Sequence, residues 1–159
     1  MTNAKDDFWD RMDDVQAGML GLDTDGELVP MSPNLRKERD GKIWFITAKG
    51  TDLVKKSSGV PQPARFVVAD PKAHLYTNVE GTLELSDDKE VLDEVWSVMA
   101  SAWFEDGKQD EDIMLMCFTP KKAGAWFGTE NPAKFAYEIA KANITGSKPD
   151  TGYQDTLVF

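Results

Sequence analysis

The sequence has very few of the residues that hold metals or attack substrates directly. Its 159 residues include one cysteine, Cys117, and one histidine, His74. A single thiol excludes a disulfide framework, and the apolar run around Cys117 indicates a buried structural thiol. The chain contains no His-Glu-x-x-His zinc motif, no Gly-x-Ser-x-Gly elbow and no Walker loop. We therefore expect neither a resident metal nor hydrolysis by side chains alone.

Positive charge is also scarce. The chain has 18 Lys and Arg residues against 28 Asp and Glu residues, which gives a formal net charge of -10. This balance argues against nonspecific binding to nucleic acid or to an anionic membrane, because both surfaces carry phosphates. No apolar stretch approaches the ~20 residues of a membrane span, and the acidic N-terminal region has no signal peptide. The cytoplasm is the expected location.

What the sequence does contain is a series of short apolar runs separated by turn residues. The length predicts a single domain over residues 1–159, in which the tail 146–159 holds no clear element. The runs predict seven or eight strands, mostly antiparallel because tight turns join neighbours, and the sheet is expected to close into a small barrel. Helices are predicted at residues 6–16, 51–57 and 132–143, and from residue 86 to Gly107. The fold class is therefore α+β, mainly β, with flanking helices.

Glycine and proline set the predicted boundaries in the second half of the chain. Gly81 is interpreted as a break between strands 74–79 and 81–85. Pro120 is interpreted as part of a turn between strands 113–118 and 124–128. The helix ending at Gly107 is expected to turn Trp103 towards the core, because apolar residues recur there at helical spacing.

Residues 42–58 form the most informative stretch. An apolar strand ends at Thr47, a loop with Lys49 follows, and Thr51 is expected to cap a short helix that carries Lys55. Free backbone N–H groups at a helix start attract anions, so this stretch is a candidate phosphate site. The alternative is that Thr51 simply caps the helix and that the lysines are solvated.

Six segments together resemble one known family. They are LVPMSP (28–33), IWFITAKGTDL (43–53), EGTLELSDD (80–88), VWSVMASAWFEDGKQDED (95–112), MLMCFTPKKAGAWF (114–127) and KFAYEIAKANITGSKPDTG (134–152). Their order and spacing resemble the pyridoxamine 5′-phosphate oxidase-like, FMN-binding split-barrel proteins, in particular the general stress protein branch. The resemblance runs nearly from end to end.

This resemblance implies a split β-barrel homodimer with FMN at the subunit interface, or FAD as the alternative. It implies that one strand, made of Val29, Pro30, Met31 and Ser32, lies along the flavin ring. It places the phosphate end of the flavin near Ile46, Thr47, Lys49, Thr51, Asp52 and Lys55. Three aromatic residues are expected close to the flavin: Trp103, Phe104 and Trp126.

The sequence also departs from this family. The pyridoxamine phosphate oxidases begin the helix with Ser-Arg-Lys, whereas this chain has Thr51, Asp52 and Leu53, and its last nine residues contain no Arg or Lys. Pyridoxamine phosphate oxidation is therefore not expected. Three hypotheses remain open: an FMN-dependent oxidoreductase with an unknown substrate, a non-catalytic flavin binder or sensor, and a flavin-free dimeric interaction protein.

Overall fold

An antiparallel sheet forms the body of the protein, and its strands follow the apolar runs of the sequence. The computed structural model describes residues 3–96 and 98–159. In this part of the chain the strands are β1 (Gly18–Leu22), β2 (Val29–Met31), β3 (Ile43–Ala48), β4 (Gln62–Asp70), β5 (Leu75–Ser86), β6 (Ile113–Gly128) and β7 (Gly152–Val158). The helices are α1 (Ala4–Met12), α2 (Asp52–Lys56), α3 (Lys89–Val95), α4 (Val98–Ser101) and α5 (Pro132–Thr145), with a short 3-10 helix at Gly107–Gln109. None of the described helices has the length and apolar character needed to cross a membrane.

The sheet is split rather than closed. Its strand order is β2-β1-β4-β5-β6-β3, and β7 pairs with β6 as well. The first half of β6 pairs with β3 and the second half pairs with β7. Between β2 and β3 the described residues form a single isolated bridge, from Asn34 to Trp44. The α+β split-barrel prediction is confirmed, whereas full closure of the sheet, which the strand count favoured, is wrong.

The core lies inside the curved sheet, where alternate strand residues point inward. Five phenylalanines from α1, β3, β4 and β6 are at most 1% exposed: Phe8, Phe45, Phe66, Phe118 and Phe127. A second cluster covers the other face of β3 and β6, where Val91 and Val95 of α3 pack against Trp44, Leu115 and Cys117. Cys117 is buried as predicted, and burial raises the pKa of its thiol.

Two strand boundaries predicted from glycine and proline are wrong. β5 and β6 run without interruption through Gly81 and Pro120, which face each other at a shift in register. At this bulge β6 has one extra residue, and a proline is tolerated there because the ladder is locally irregular. Gly81 is required, since an added Cβ would lie 2.2 Å from the Thr119 carbonyl oxygen.

The long predicted helix and the unstructured tail are also wrong. The helix that starts at Lys89 ends at Val95, because Trp96 has an extended backbone with a ψ of 135°. Trp103 lies beyond the short α4 and is 83% exposed instead of pointing into the core. The tail contains β7, where Leu157 is the one buried residue, so the strand has no inward-outward alternation to detect.

Candidate functional site

A cleft opens where β2, the end of β3 and the segment after α4 meet. We call it the Trp103 cleft; its volume is about 390 Å³. It is lined by Ala17, Pro30, Met31, Ser32, Asn34, Ile46, Thr47, Ala48, Ala100, Trp103 and Phe104. Ligand pockets of roughly 300–1,000 Å³ that combine apolar and aromatic walls with a few polar groups are typical small-molecule sites.

Local contacts fix the walls of this cleft. The Asn34 side chain donates hydrogen bonds to the carbonyl oxygens of Ser32, at 3.2 Å, and Trp44, at 3.1 Å. These bonds hold the segment after β2 beside β3, although the two strands are not paired. On the other wall, Phe104 is 8% exposed and its ring centroid lies 6.0 Å from that of Trp96. Phe104 therefore anchors the segment that presents Trp103.

The polar groups of the Trp103 cleft are neutral. Among the described residues, the hydroxyls of Ser32 and Thr47 have no hydrogen-bond partner, so both are available to a ligand. No Asp, Glu, His, Lys, Arg, Cys or Tyr contributes to the described lining. The cleft can therefore bind a planar apolar group and hydrogen bond to its edge, but it supplies no acid or base.

A second cleft continues from the first and carries charge. We call it the Asp25 cleft; its volume is about 290 Å³. It shares Pro30, Met31 and Thr47 with the Trp103 cleft, and the rest of its lining is Leu20, Leu22, Asp25, Glu27, Val29, Thr51, Asp52, Leu53 and Lys56. The two clefts therefore adjoin each other along β2 and together make up the candidate site.

An ion pair crosses the Asp25 cleft. The Lys56 ammonium lies 2.6 Å from a carboxylate oxygen of Asp25 and 3.6 Å from one of Glu27. The hydrogen bond from Lys56 lowers the pKa of Asp25, and the backbone N–H of Glu27 lowers it further. The same bond to Asp25 raises the pKa of Lys56. Both partners are therefore charged at neutral pH.

The structure brings most of the predicted site residues into these two clefts. Seven line the Trp103 cleft: Pro30, Met31, Ser32, Ile46, Thr47, Trp103 and Phe104. Val29, Thr51 and Asp52 line only the Asp25 cleft. Lys49 instead lines an acidic cleft beside Asp87 and Asp88, and Lys55 lines neither site cleft.

Other predictions fall outside the site. Trp126 lines a separate cleft with Tyr76 and Tyr153, beside the start of α5. No group of three or more His, Cys, Asp or Glu side chains in the described parts of the chain could hold a metal ion. Sequence reasoning missed the roles of Asn34, Asp25 and Glu27. The Asp-Gly turn signal places Asp25 and Glu27 in a hairpin, but nothing local indicates that Lys56 reaches them.

Comparisons with known proteins agree on one family. The family model described as "Pyridoxamine 5′-phosphate oxidase like" matches residues 3–150. No curated protein matches the chain. Among solved structures, one assigned to general stress protein 26 from Jannaschia sp. CCS1 is 49% identical, covers 100% of both chains and has a TM-score of 0.94.

Two further similar structures come from Xanthomonas species. The general stress FMN/FAD binding protein of Xanthomonas citri is 27% identical, with a TM-score of 0.69, over 78% of this chain and 88% of its own. A general stress family protein of Xanthomonas campestris is 28% identical, with a TM-score of 0.70, over 82% of this chain and 93% of its own.

Proposed function

Because the chain belongs to the pyridoxamine 5′-phosphate oxidase-like family, we propose that it is a flavin-binding general stress protein with the isoalloxazine ring in the Trp103 cleft. The observation that carries this proposal is the exposure of Trp103, 83% at the mouth of an apolar cleft. An exposed aromatic side chain is informative when it adjoins an apolar cleft, because together they form an apolar surface that a ligand can cover. A flavin ring is a suitable partner because it is flat and aromatic.

The lining residues fit such a ring. Trp103 and Phe104 offer aromatic surface, and Met31 and Ile46 offer apolar contact. The free hydroxyls of Ser32 and Thr47 provide hydrogen bonds to the polar edge of the ring. FMN is the flavin that we expect first, with FAD as the alternative, because the Xanthomonas citri relative is described as an FMN/FAD binding protein.

A bound flavin supplies hydride and single-electron transfer, which side chains cannot perform. The residues of the Trp103 cleft hold and orient the ring, exclude water from one of its faces and tune its reactivity through hydrogen bonds. Because the described lining has no acid or base, any proton in a redox reaction comes from solvent, from the substrate or from a second chain. This feature is compatible with an oxidoreductase, and it also favours the second candidate, a flavin binder without turnover.

A homodimer is the assembly that we propose for this function. Helix α5 has no buried residue, and its apolar side chains include Tyr137 at 63% and Ile144 at 85% exposure. The chain exposes 9625 Å², whereas a globular monomer of its mass exposes about 8,000 Å². The excess of about 1,600 Å² is larger than the ~800 Å² that each partner contributes to a standard interface and falls in the range of obligate homodimers. A second copy that covers α5 accounts for both observations.

The decisive experiment is a titration of the purified protein with FMN and with FAD, followed by flavin absorbance and by quenching of tryptophan fluorescence. We expect saturable binding, and then tests with nicotinamide donors to separate the two candidates. Turnover identifies an oxidoreductase, whereas a yellow protein without turnover against any donor identifies a binder or sensor. No binding at high flavin concentration would overturn the proposal and favour a flavin-free interaction protein.

A further inference from the structure

The Asp25 cleft is the part of the site that the tail of a ring-bound ligand would reach. It meets the Trp103 cleft at Pro30, Met31 and Thr47, which line both. A flavin with its ring beside Trp103 would extend its ribityl chain, and any phosphate that follows, towards Thr51 and Asp52. The charges around these two residues determine whether the cleft attracts or repels a phosphate at the end of this chain.

Those charges are predominantly negative. Three carboxylates, of Asp25, Glu27 and Asp52, line the cleft together with one ammonium, of Lys56. Three negative charges and one positive charge leave a formal charge of -2. In the described lining of both clefts Lys56 is the one cation, and it is already bonded to Asp25 at 2.6 Å.

Of the two threonine hydroxyls in the lining of the Asp25 cleft, that of Thr47 is open and that of Thr51 is engaged. The Thr51 hydroxyl donates to the Ala48 carbonyl oxygen at 3.1 Å and accepts the Val54 N–H at 3.4 Å. Lys49 lines a different, acidic cleft, and Lys55 lines neither part of the site. A phosphate with a charge of about -1.5 to -2 would therefore enter a negative field without a free cation.

We propose that this site recognises the isoalloxazine and ribityl parts of a flavin and gains no affinity from the 5′-phosphate. The inference rests on the proposed flavin binding and concerns the ligand class of the same site. Riboflavin and other flavins without a phosphate are then as good ligands as FMN. The apolar cleft provides the affinity, and the carboxylates of the Asp25 cleft accept ribityl hydroxyls, which are hydrogen-bond donors.

The test compares the dissociation constants of riboflavin and FMN by fluorescence quenching at low and high salt. We expect riboflavin to bind the wild-type protein at least as tightly as FMN at low salt, with the two constants converging at high salt as repulsion is screened. A phosphate site with a charge-assisted hydrogen bond would instead favour FMN by about tenfold or more. That preference would overturn the inference but leave the proposed function intact, whereas failure of both ligands to bind would overturn the proposed function.

Two variants test the inference through an expected gain in affinity for FMN. Asp52→Lys is expected to tighten FMN binding by about tenfold and to leave riboflavin unchanged, because it supplies a cation for the phosphate. Asp25→Asn removes one carboxylate and leaves Lys56 paired only with Glu27, at 3.6 Å, and is expected to act in the same direction. The matched control is Asp14→Lys, which changes the net charge by the same amount as Asp52→Lys. Asp14 lies outside both clefts, so this variant should alter neither dissociation constant. Unchanged FMN affinity in both cleft variants would overturn the inference, because the tail would then lie elsewhere.

Discussion

Trp103 and Phe104 are neighbours in the chain but point to opposite environments. Phe104 is 8% exposed and packs near Trp96, whereas Trp103 is 83% exposed at the mouth of the cleft. The buried Phe104 ring fixes the backbone, and the exposed Trp103 ring has free surface that a ligand can contact. Substitution of Trp103 should therefore affect binding without affecting folding.

We predict that Trp103→Ala weakens flavin binding by about two- to tenfold, since an aromatic stacking contact contributes about 0.5–1.5 kcal/mol. Trp103→Phe should retain most of the affinity because it keeps an aromatic face. The melting temperature of both variants should equal that of the wild type. Trp126→Ala is the matched control: Trp126 is 48% exposed but lies outside both site clefts. Equal loss of affinity in the control would contradict the placement of the ring.

A second prediction concerns assembly. We expect the wild-type protein to have twice the mass of its 17.7 kDa chain by light scattering, and the double variant Tyr137→Glu, Ile144→Glu to be a monomer. The two residues are seven positions apart on α5 and share one helix face. Buried glutamates at an interface are costly, so dissociation follows.

Val60→Glu is the control for this experiment, because Val60 is 63% exposed on a loop and has the same exposure as Tyr137. It should leave the dimer intact. A wild-type protein that is monomeric at high concentration would show that α5 is not covered by a second copy.

A third prediction uses alkaline pH. Tyr153 donates a hydrogen bond to Asp7, and burial together with this bond raises its pKa to about 12. A raised pKa in the folded state means that the bond stabilises the protein fully below the ordinary tyrosine pKa, near 10, and that this stabilisation is lost as the pH rises towards 12. Tyr153 is 46% exposed, so solvent screening limits the contribution to about 1 kcal/mol or less.

The measurement is urea denaturation of the wild type and of Tyr153→Phe between pH 8 and 12. Phenylalanine keeps the stacking on Phe127, whose ring centroid lies 4.6 Å from that of Tyr153. The difference between the two midpoints should shrink above about pH 10. A difference that stays constant up to pH 12 would show that the Tyr153–Asp7 bond does not contribute.

A fourth prediction addresses the core behind the site. Phe66 is fully buried, and its ring centroid lies 5.0 Å from that of Phe45 on β3. Phe66→Ala should lower the free energy of unfolding by about 3–5 kcal/mol, because it removes a large side chain and leaves a cavity. The neighbour Val67 points to the partly exposed face, and Val67→Ala should cost much less in the same denaturation experiment.

The sequence predicts the elements whose signals are local. Thr51 accepts a hydrogen bond from the Val54 N–H at the start of α2, and Pro132 begins α5 after the Asn131 cap, as their residue types indicate. β7 could not be predicted, because an edge strand with one buried residue shows no alternation. Pro120 was wrongly interpreted as a turn residue. It lies at the bulge opposite Gly81, where the hydrogen-bond ladder is irregular and a residue without an N–H group is tolerated.

The site residues that lie on a single strand could be predicted from the sequence. The contacts between residues far apart in the chain could not. Pro30 and Thr47 lie on elements that the apolar pattern reveals, so their placement in one cleft could be expected from the family resemblance. The pairing of Lys56 with Asp25 joins residues 31 positions apart, and neither residue shows in its own neighbourhood which partner it will meet. The resemblance indicated a phosphate site here, and Asp52 already argued against it in the sequence; the structure adds Asp25 and Glu27 to the same cleft.

The chain leaves the sheet after β6 and returns to it at the same place. Gly128 of β6 is paired with Gly152 of β7, and the Thr129 N–H donates to the Thr151 carbonyl oxygen at 2.8 Å. The segment between them contains α5, which contributes no buried residue. A short hairpin turn could therefore replace it without altering the barrel. The proposed dimer contact through α5 then lies at the end of β6, whereas the start of β6 pairs with the β3 residues that line the Trp103 cleft.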